Sequence, residues 1–301
     1  MTIVDRPGEP TTFGQPQRAA GVEAQLLRGD GVHAADTIID HGAFGSLVVR
    51  AASVRGTYAR YESGPREDDY TMGAAANGRW LVVALADGVT SASASHLAAT
   101  LAVRTAVQQV QRQLDEYAMG EVDLHGVFQS AAYQLRRSAE PLLDAEGLDC
   151  TADHIAGLFA TTLLVAIIPA DGTGRRVRLA RVGDSNAWTL DDDGWTPLLA
   201  PKVGGAPLAS STVRALPRLP DTLDVVERDI APGQTMVLAS DGVTDPFGTT
   251  FDGDVARCLA RAWHPELPAP LEFARQLSFR GQSWDDDRTA VAVTGIGSPS
   301  R

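Results

Sequence analysis

Carboxylates stand repeatedly at the ends of apolar runs in this chain, and that placement is the first sign of chemistry. Met236 to Ala239 reads as a buried strand and leads directly into Ser240-Asp241-Gly242-Val243-Thr244-Asp245. Leu81 to Ala86 leads into Asp87-Gly88, and Val177 to Val182 leads into Gly183-Asp184-Ser185. A fourth segment reverses the order, with Asp285-Asp286-Asp287 preceding Arg288 to Val293. An isolated buried charge is costly, and two carboxylates at about 4 Å repel by roughly 4 kcal/mol at an effective dielectric near 20. Four such strand ends gathered in one sheet or sandwich therefore call for a cation. The chain supplies oxygen ligands in quantity and few soft ones, which suits magnesium or manganese. A single acidic cluster judged alone is more often a solvated turn, and Asp191-Asp192-Asp193-Gly194 reads that way.

The composition narrows the classes of partner. With 301 residues and 44% hydrophobic content, the chain can bury the core of one main domain. The net charge of −12 (26 basic, 38 acidic) would repel a phosphate backbone, so nucleic acid is not expected as a partner, whereas a basic protein segment is compatible. Lys202 is the single lysine, and its flanks do not fit a phosphate loop of the Gly-Lys-Ser/Thr kind. Cys150 and Cys258 are too few for a disulfide framework and too far apart for a local zinc clip; both are expected to be small buried apolar residues. No run of about 18 apolar residues occurs, and the first residues lack a basic cluster and an apolar signal core, so no membrane partner and a cytoplasmic location are expected.

These carboxylates need elements to hold them. Residues 1–44 carry prolines, glycines and charges without periodicity and are expected to form a poorly ordered lead; the domain is expected over 45–295, with a dispensable tail over 296–301. Leu47-Val48-Val49 reads as a strand, followed by a Gly/Arg-rich loop. Asn77-Gly78 is a strong hairpin signal joining the segment after Glu67-Asp68-Asp69 to the strand ending at Ala86. Thr90 and Ser91 are expected to cap a helix whose buried stripe is Val103, Val107, Val110, Leu114 and Tyr117. A second helix is expected on Leu124, Val127, Phe128, Ala131, Leu135 and Ala139, kinked or restarted at Pro141. Short strands then dominate, interrupted by an irregular flap over 202–220. Helices near 254–263 and 270–279 precede the last strand. That order argues for an α+β fold with helix layers outside a β core.

In order and spelling these pieces resemble the metal-dependent serine/threonine protein phosphatases of type 2C, the PPM family, in its bacterial form. The resemblance covers roughly residues 45–295 and runs through Glu67-Asp68-Asp69, Ala86-Asp87-Gly88, Thr161-Thr162, Gly183-Asp184-Ser185, Arg214-Ala215-Leu216, Pro232-Gly233-Gln234, Ser240-Asp241-Gly242 with Asp245, and Asp286-Asp287-Arg288-Thr289. It implies an α-β-β-α sandwich with a two-metal centre at one end of the β core, holding two inner Mn2+ or Mg2+ ions. By matched position Asp87 would bridge the ions, the Gly88 carbonyl would add a ligand, and Asp68, Asp241 and Asp286 would complete the site. Asp69 would accept from metal-bound water, and a third, looser ion would lie between Asp184 and Asp245. The phosphate-binding arginine would be Arg66, with Arg60 and Arg55 as alternatives in the same loop.

The resemblance implies hydrolysis of phosphomonoesters on a phosphorylated protein, the target of a cognate Ser/Thr kinase, by a metal-activated water. A bound divalent ion lowers the pKa of water from about 15.7 towards about 7, so no protein nucleophile is required. The chain departs from the family where Val89-Thr90-Ser91 lacks the glycine pair after Asp-Gly, where Asn186 follows Gly-Asp-Ser, and where Asp287 replaces an asparagine. A different class of reading is a degenerate phosphatase fold that serves as a non-catalytic binding or regulatory module. A Gly-Asp-Ser serine hydrolase, with Ser185 as nucleophile, lacks the late Asp-x-x-His that it needs: His264 follows Arg261-Ala262-Trp263.

Overall fold

The computed structural model describes residues 2–15, 35–172, 174–200, 215–281 and 283–297. Two short strands, β1 (Ile3–Val4) and β2 (Thr12–Phe13), precede the long hairpin of β3 (Thr37–Phe44) and β4 (Leu47–Val54). A short helix α1 (Thr57–Glu62) leads to β5 (Asp69–Ala75) and β6 (Trp80–Ala86), then to the long helices α2 (Ser95–Leu114) and α3 (Leu124–Ala145) and the short α4 (Ala152–Leu158). Strands β7 (Leu163–Pro169), β8 (Arg176–Val182), β9 (Asn186–Asp191), β10 (Gly194–Pro197), β11 (Asp224–Asp229) and β12 (Thr235–Ala239) follow. The single-turn α5 (Asp241–Thr244), then α6 (Asp254–Trp263), α7 (Pro270–Leu277), β13 (Arg280–Gly281) and β14 (Arg288–Thr294) complete the order.

The strands form a six-stranded antiparallel sheet in the order β10-β9-β12-β14-β4-β3 and a five-stranded antiparallel sheet in the order β11-β8-β7-β6-β5. Their central strands are apolar on both faces because each sheet is covered twice. Along β6, Leu81, Val83 and Leu85 join the core between the sheets, while Val82, Ala84 and Ala86 pack under α2 and α3. Along β12 and β14, Met236, Leu238, Val291 and Val293 face inwards, and Val237, Ala239, Ala290 and Ala292 face α6 and α7. The result is an α-β-β-α sandwich.

The helices follow their apolar periodicity. Val103, Val107, Val110 and Leu114 are buried along α2, and all six stripe residues expected of the second helix are buried along α3. Two expectations fail at the ends. Tyr117 lies beyond α2 and is 52% exposed, since the stripe outlasts the helix. Helix α2 starts at Ser95 after Ala94, with no side-chain cap from Thr90 or Ser91. Helix α3 continues through Pro141 rather than restarting there.

Both domain ends also differ from the expectation. Thr37 to Phe44 pairs along its whole length with β4, so the sheet starts before residue 45. Phe13 is buried with Phe279 and Trp284, because β2 pairs with β13. At the other end, Ile296 is 1% exposed and belongs to the inter-sheet core, so the tail is not wholly dispensable to packing. Cys150 is exposed and Cys258 half-buried, so the expectation of two buried cysteines fails. The expected flap over 202–220 falls, from Lys202 to Arg214, outside the described residues. No helix among the described residues is long and apolar enough to cross a membrane.

Candidate metal centre

Antiparallel pairing brings the acidic strand ends to one end of the sandwich. Asp69 pairs with Ala86, so Asp68 and Asp87 leave adjacent strands of the five-stranded sheet side by side. Leu163 pairs with Val182, which sets the Gly183-Asp184 turn beyond the next strand at the same end. In the facing sheet, Ala239 pairs with both Asn186 and Ala290, so Asp241 and Asp286 emerge together.

One carboxylate oxygen each from Asp87, Asp184 and Asp241 lies within 4.8 Å of the others. Asp68 is 2% exposed, and its Oδ2 is buried without a hydrogen-bond partner. Burial holds the Asp68 carboxyl well above the usual carboxylate range, helped by the charges of Asp287 and Asp286. Burial likewise raises Asp87, with Asp68, Asp241 and Asp286 adding to the push. Asp286 is pushed up to about 7 by the protein packed around it and by Asp241, Asp287 and Glu67, although its open side meets water that screens part of this. These mutually opposed carboxylates form an oxygen-only donor set with an orphaned buried acceptor. The residues present therefore fit a hard divalent cation.

Asp184 was expected with Asp245 at a looser outer position. The structure groups Asp184 with Asp87 and Asp241. Asp245 lies one helical turn beyond Asp241, at the end of α5. Gly88 bridges to Thr161, which bridges in turn to Leu216. Asp69 accepts from Thr100 Oγ1 of α2 (2.7 Å) and lies 3.8 Å from Arg66.

Arg66 is tied into the fold. It donates to Ser53 Oγ (2.7 Å) and to the Asp68 carbonyl, and its side chain is only 10% exposed. The alternatives are also engaged: Arg60 forms a two-pronged pair with Asp36 (2.6 and 3.2 Å), and the 5%-exposed Arg55 donates to the Ala59 carbonyl. The expected loop between β4 and β5 is partly helical, and α1 organises these arginines. Arg288 is buried behind Asp286 and over the Phe279 ring at 4.2 Å; burial pulls it down to about 10, so it remains a cation at neutral pH.

Hydroxyl groups support the cluster. Thr162 Oγ1 accepts from the Asp87 N–H (3.0 Å) and shares a hydrogen bond with Ser185 Oγ (3.2 Å), while Thr161 Oγ1 donates to the Asp87 carbonyl (3.0 Å). Ser185 is 1% exposed in this contact, a structural role rather than that of a nucleophile. Ser240 Oγ accepts from the Thr289 N–H (3.0 Å), and Thr289 Oγ1 donates to Ser53 Oγ (2.6 Å).

Two neighbours escaped the sequence reading as contributors. Glu67, half-buried, accepts from Ser95 Oγ at 2.6 Å, and burial pushes its carboxyl up. The carboxylate of Asp287, 4% exposed, accepts from the backbone N–H groups of Gly56 (2.5 Å), Glu67 and Asp68 (3.4 Å). Both residues stood inside acidic motifs, but their partners are backbone or hydroxyl groups far away in sequence. The backbone also needs room here. A Cβ on Gly242 would lie 2.0 Å from the Asp287 carbonyl, and one on Gly56 2.4 Å from the Asp285 carbonyl, so the 285–287 segment is pressed from two sides.

A family profile for protein phosphatase 2C matches residues 55–277. The chain belongs to the protein phosphatase 2C family. No curated protein matches it by sequence. Among solved structures, it is similar to the S. agalactiae serine/threonine phosphatase, with 18% identity, a TM-score of 0.55, and 82% of this chain and 99% of that one covered. It is also similar to the catalytic domain of PstP in complex with two manganese ions, at 20% identity and TM-score 0.54, covering 82% and 97%. A third similar structure is RsbX in complex with magnesium, at 13% identity and TM-score 0.53, covering 85% and 98%. At these identities the structural matches establish the fold.

Proposed function

We propose that this chain is a metal-dependent phosphoprotein phosphatase that hydrolyses phosphoserine and phosphothreonine monoesters. The observation that carries this reading is the convergence of Asp87, Asp184 and Asp241 oxygens within 4.8 Å beside the buried, unpartnered Oδ2 of Asp68. Asp68, Asp87, Asp184, Asp241 and Asp286, with the Gly88 carbonyl, would hold Mn2+ or Mg2+. Asp245 is the candidate for a further, looser ion. When bound, such ions make hydroxide available near neutral pH and neutralise phosphoryl oxygens.

The protein's own share of the work is positioning. Thr161 and Thr162 fix the backbone of Asp87 from both sides. Arg66 holds the Asp68 carbonyl and faces Asp69, which in turn grips α2 through Thr100. Asp69 is thereby set to accept a proton or hydrogen bond near the cluster. We assign Arg66 to this organising role and leave the substrate phosphate to the divalent ions.

Hydrolysis of an aryl phosphate and of a phosphoserine peptide with and without Mn2+ tests the reading. Turnover that depends on Mn2+ and stops in excess chelator is expected; full activity in chelator would overturn it. Metal binding by calorimetry without turnover on either substrate would favour the non-catalytic module.

A further inference from the structure

Within the acidic run Asp285-Asp286-Asp287, the last two carboxylates do different jobs. Asp286 turns its side chain towards the cluster and solvent, whereas Asp287 is 4% exposed. Its two oxygens are divided between separate stretches of backbone. Oδ1 accepts from the Gly56 N–H at 2.5 Å, and Oδ2 accepts from the N–H groups of Glu67 and, at 3.4 Å, Asp68. Gly56 and Glu67–Asp68 flank α1 and lie outside both sheets, so no strand partner fixes them. The Asp287 carboxylate is the acceptor that binds both ends of this segment to the start of β14. Close contact confirms the fit: a Cβ on Gly56 would meet the Asp285 and Asp286 backbone at 2.4 Å.

From this geometry, and resting on the metal reading above, we propose that Asp287 is a positioning residue. It clamps the Glu67–Asp68 backbone to the strand end that carries Asp286 and so sets Asp68 in the metal centre. A carboxylate suits the task because it is acceptor-only on both oxygens. An asparagine at this position offers one carbonyl oxygen and one NH2. One of the two backbone groups, Gly56 N–H or Glu67 N–H, would then face a donor, which leaves a buried N–H unsatisfied. Outer-shell partners that orient metal ligands typically account for 10- to 100-fold in metal affinity.

Amide hydrogen exchange on the intact wild-type chain, without metal, gives a reading that needs neither a variant nor catalysis. The Gly56 and Glu67 amides are expected to exchange at least about tenfold more slowly than exposed loop amides. Unprotected amides there would overturn the clamp. Asp287→Asn is expected to lose that protection at one of the two amides and to raise the Mn2+ dissociation constant, read by calorimetry, by about tenfold or more. The number of ions bound should stay unchanged. Lost protection with unchanged Mn2+ affinity would overturn the positioning role. Loss of a whole ion with protection intact would make Asp287 a ligand and overturn it too. Asp68→Asn serves as the control: if wild type and this variant bind Mn2+ equally, the metal reading fails, while the exchange data still judge the clamp.

Discussion

Asp241 opens α5 one residue after the fully buried strand β12, and its carboxylate is one of three that share a space narrower than two well-separated charges would choose. Asp241→Asn removes a formal charge and a hard ligand, so Mn2+ affinity and turnover are expected to fall together, by tenfold or more, while the metal-free protein keeps or gains thermal stability. Wild-type Mn2+ binding in this variant would place the site elsewhere. The direction of the pH dependence follows from the same repulsion. Asp68, Asp87 and Asp286 all have pKa values raised on folding, Asp286 to about 7 from the ordinary 3.8. Such groups favour the folded state fully below their unfolded pKa, and that contribution is lost as pH rises through the folded value. Chelated protein is therefore expected to lose melting temperature as pH rises from about 4 to about 7, relative to Mn2+-loaded protein. Asp241→Asn should shrink that difference, and equal slopes with and without metal would refute the coupling. Asp184 stands beyond a separate strand in the sequence, and the tertiary fold brings its carboxylate within 4.8 Å of those of Asp87 and Asp241.

At the scale of elements, the site depends on short pieces wedged between the strand ends. Helix α5 is a single turn, and Gly242 within it lets the backbone touch the Asp287 carbonyl. Gly242→Ala is expected to cost about 1–3 kcal/mol of stability, and to weaken Mn2+ binding because Asp241 moves with the turn. Unchanged melting temperature and affinity would show that the contact relaxes without cost. The strands from β4 onward that carry the acidic ends and the long helices were legible in the sequence, since period-2 and period-3.6 apolar patterns report burial directly, whereas β3, half-exposed along its length, was not. Helices α1 and α4 were not, because neither carries a repeated apolar stripe: Tyr58 and Tyr61 of α1 are about half exposed, at 49% and 52%. The start of α2 was misplaced for a related reason. Thr90 and Ser91 are good capping residues by type, but the chain makes a turn there, with Val89 bonded to Ala160 and Ser93 to Gly157, and the helix begins only at Ser95.

For the molecule as a whole, folding and metal binding should be linked. A ligand bound only by the folded state at about 100 times its dissociation constant adds about 2.7 kcal/mol, so the melting temperature is expected to climb with Mn2+ concentration and to fall back with chelator. The N-terminal strands belong to the same unit. Phe13 is 2% exposed and meets Phe279 and Trp284 edge-on at 6.0 and 6.2 Å, so Phe13→Ala is expected to destabilise the protein by about 3–5 kcal/mol, read by denaturant unfolding. A change below about 0.5 kcal/mol would mean that this segment contributes nothing to the core. Its sequence gave no periodic signal because two-residue strands are too short to show one, and their partner β13 lies at the far end of the chain.

The sequence by itself determined which strands are buried on both faces, where the two long helices lie, and that carboxylates stand at the strand ends, because each is a local property of residue type and spacing. It also carried the family, through motifs read in order. Tertiary structure decided which of those carboxylates meet. Asp184 joins Asp87 and Asp241, Asp287 turns to backbone amides while its neighbour Asp286 stays with the cluster, and Arg66 is held by Ser53 and Asp68. These outcomes depend on strand register and turns, and for Asp287 on amides more than two hundred positions away, and the side-chain type at any one position carries no record of what lies across that gap.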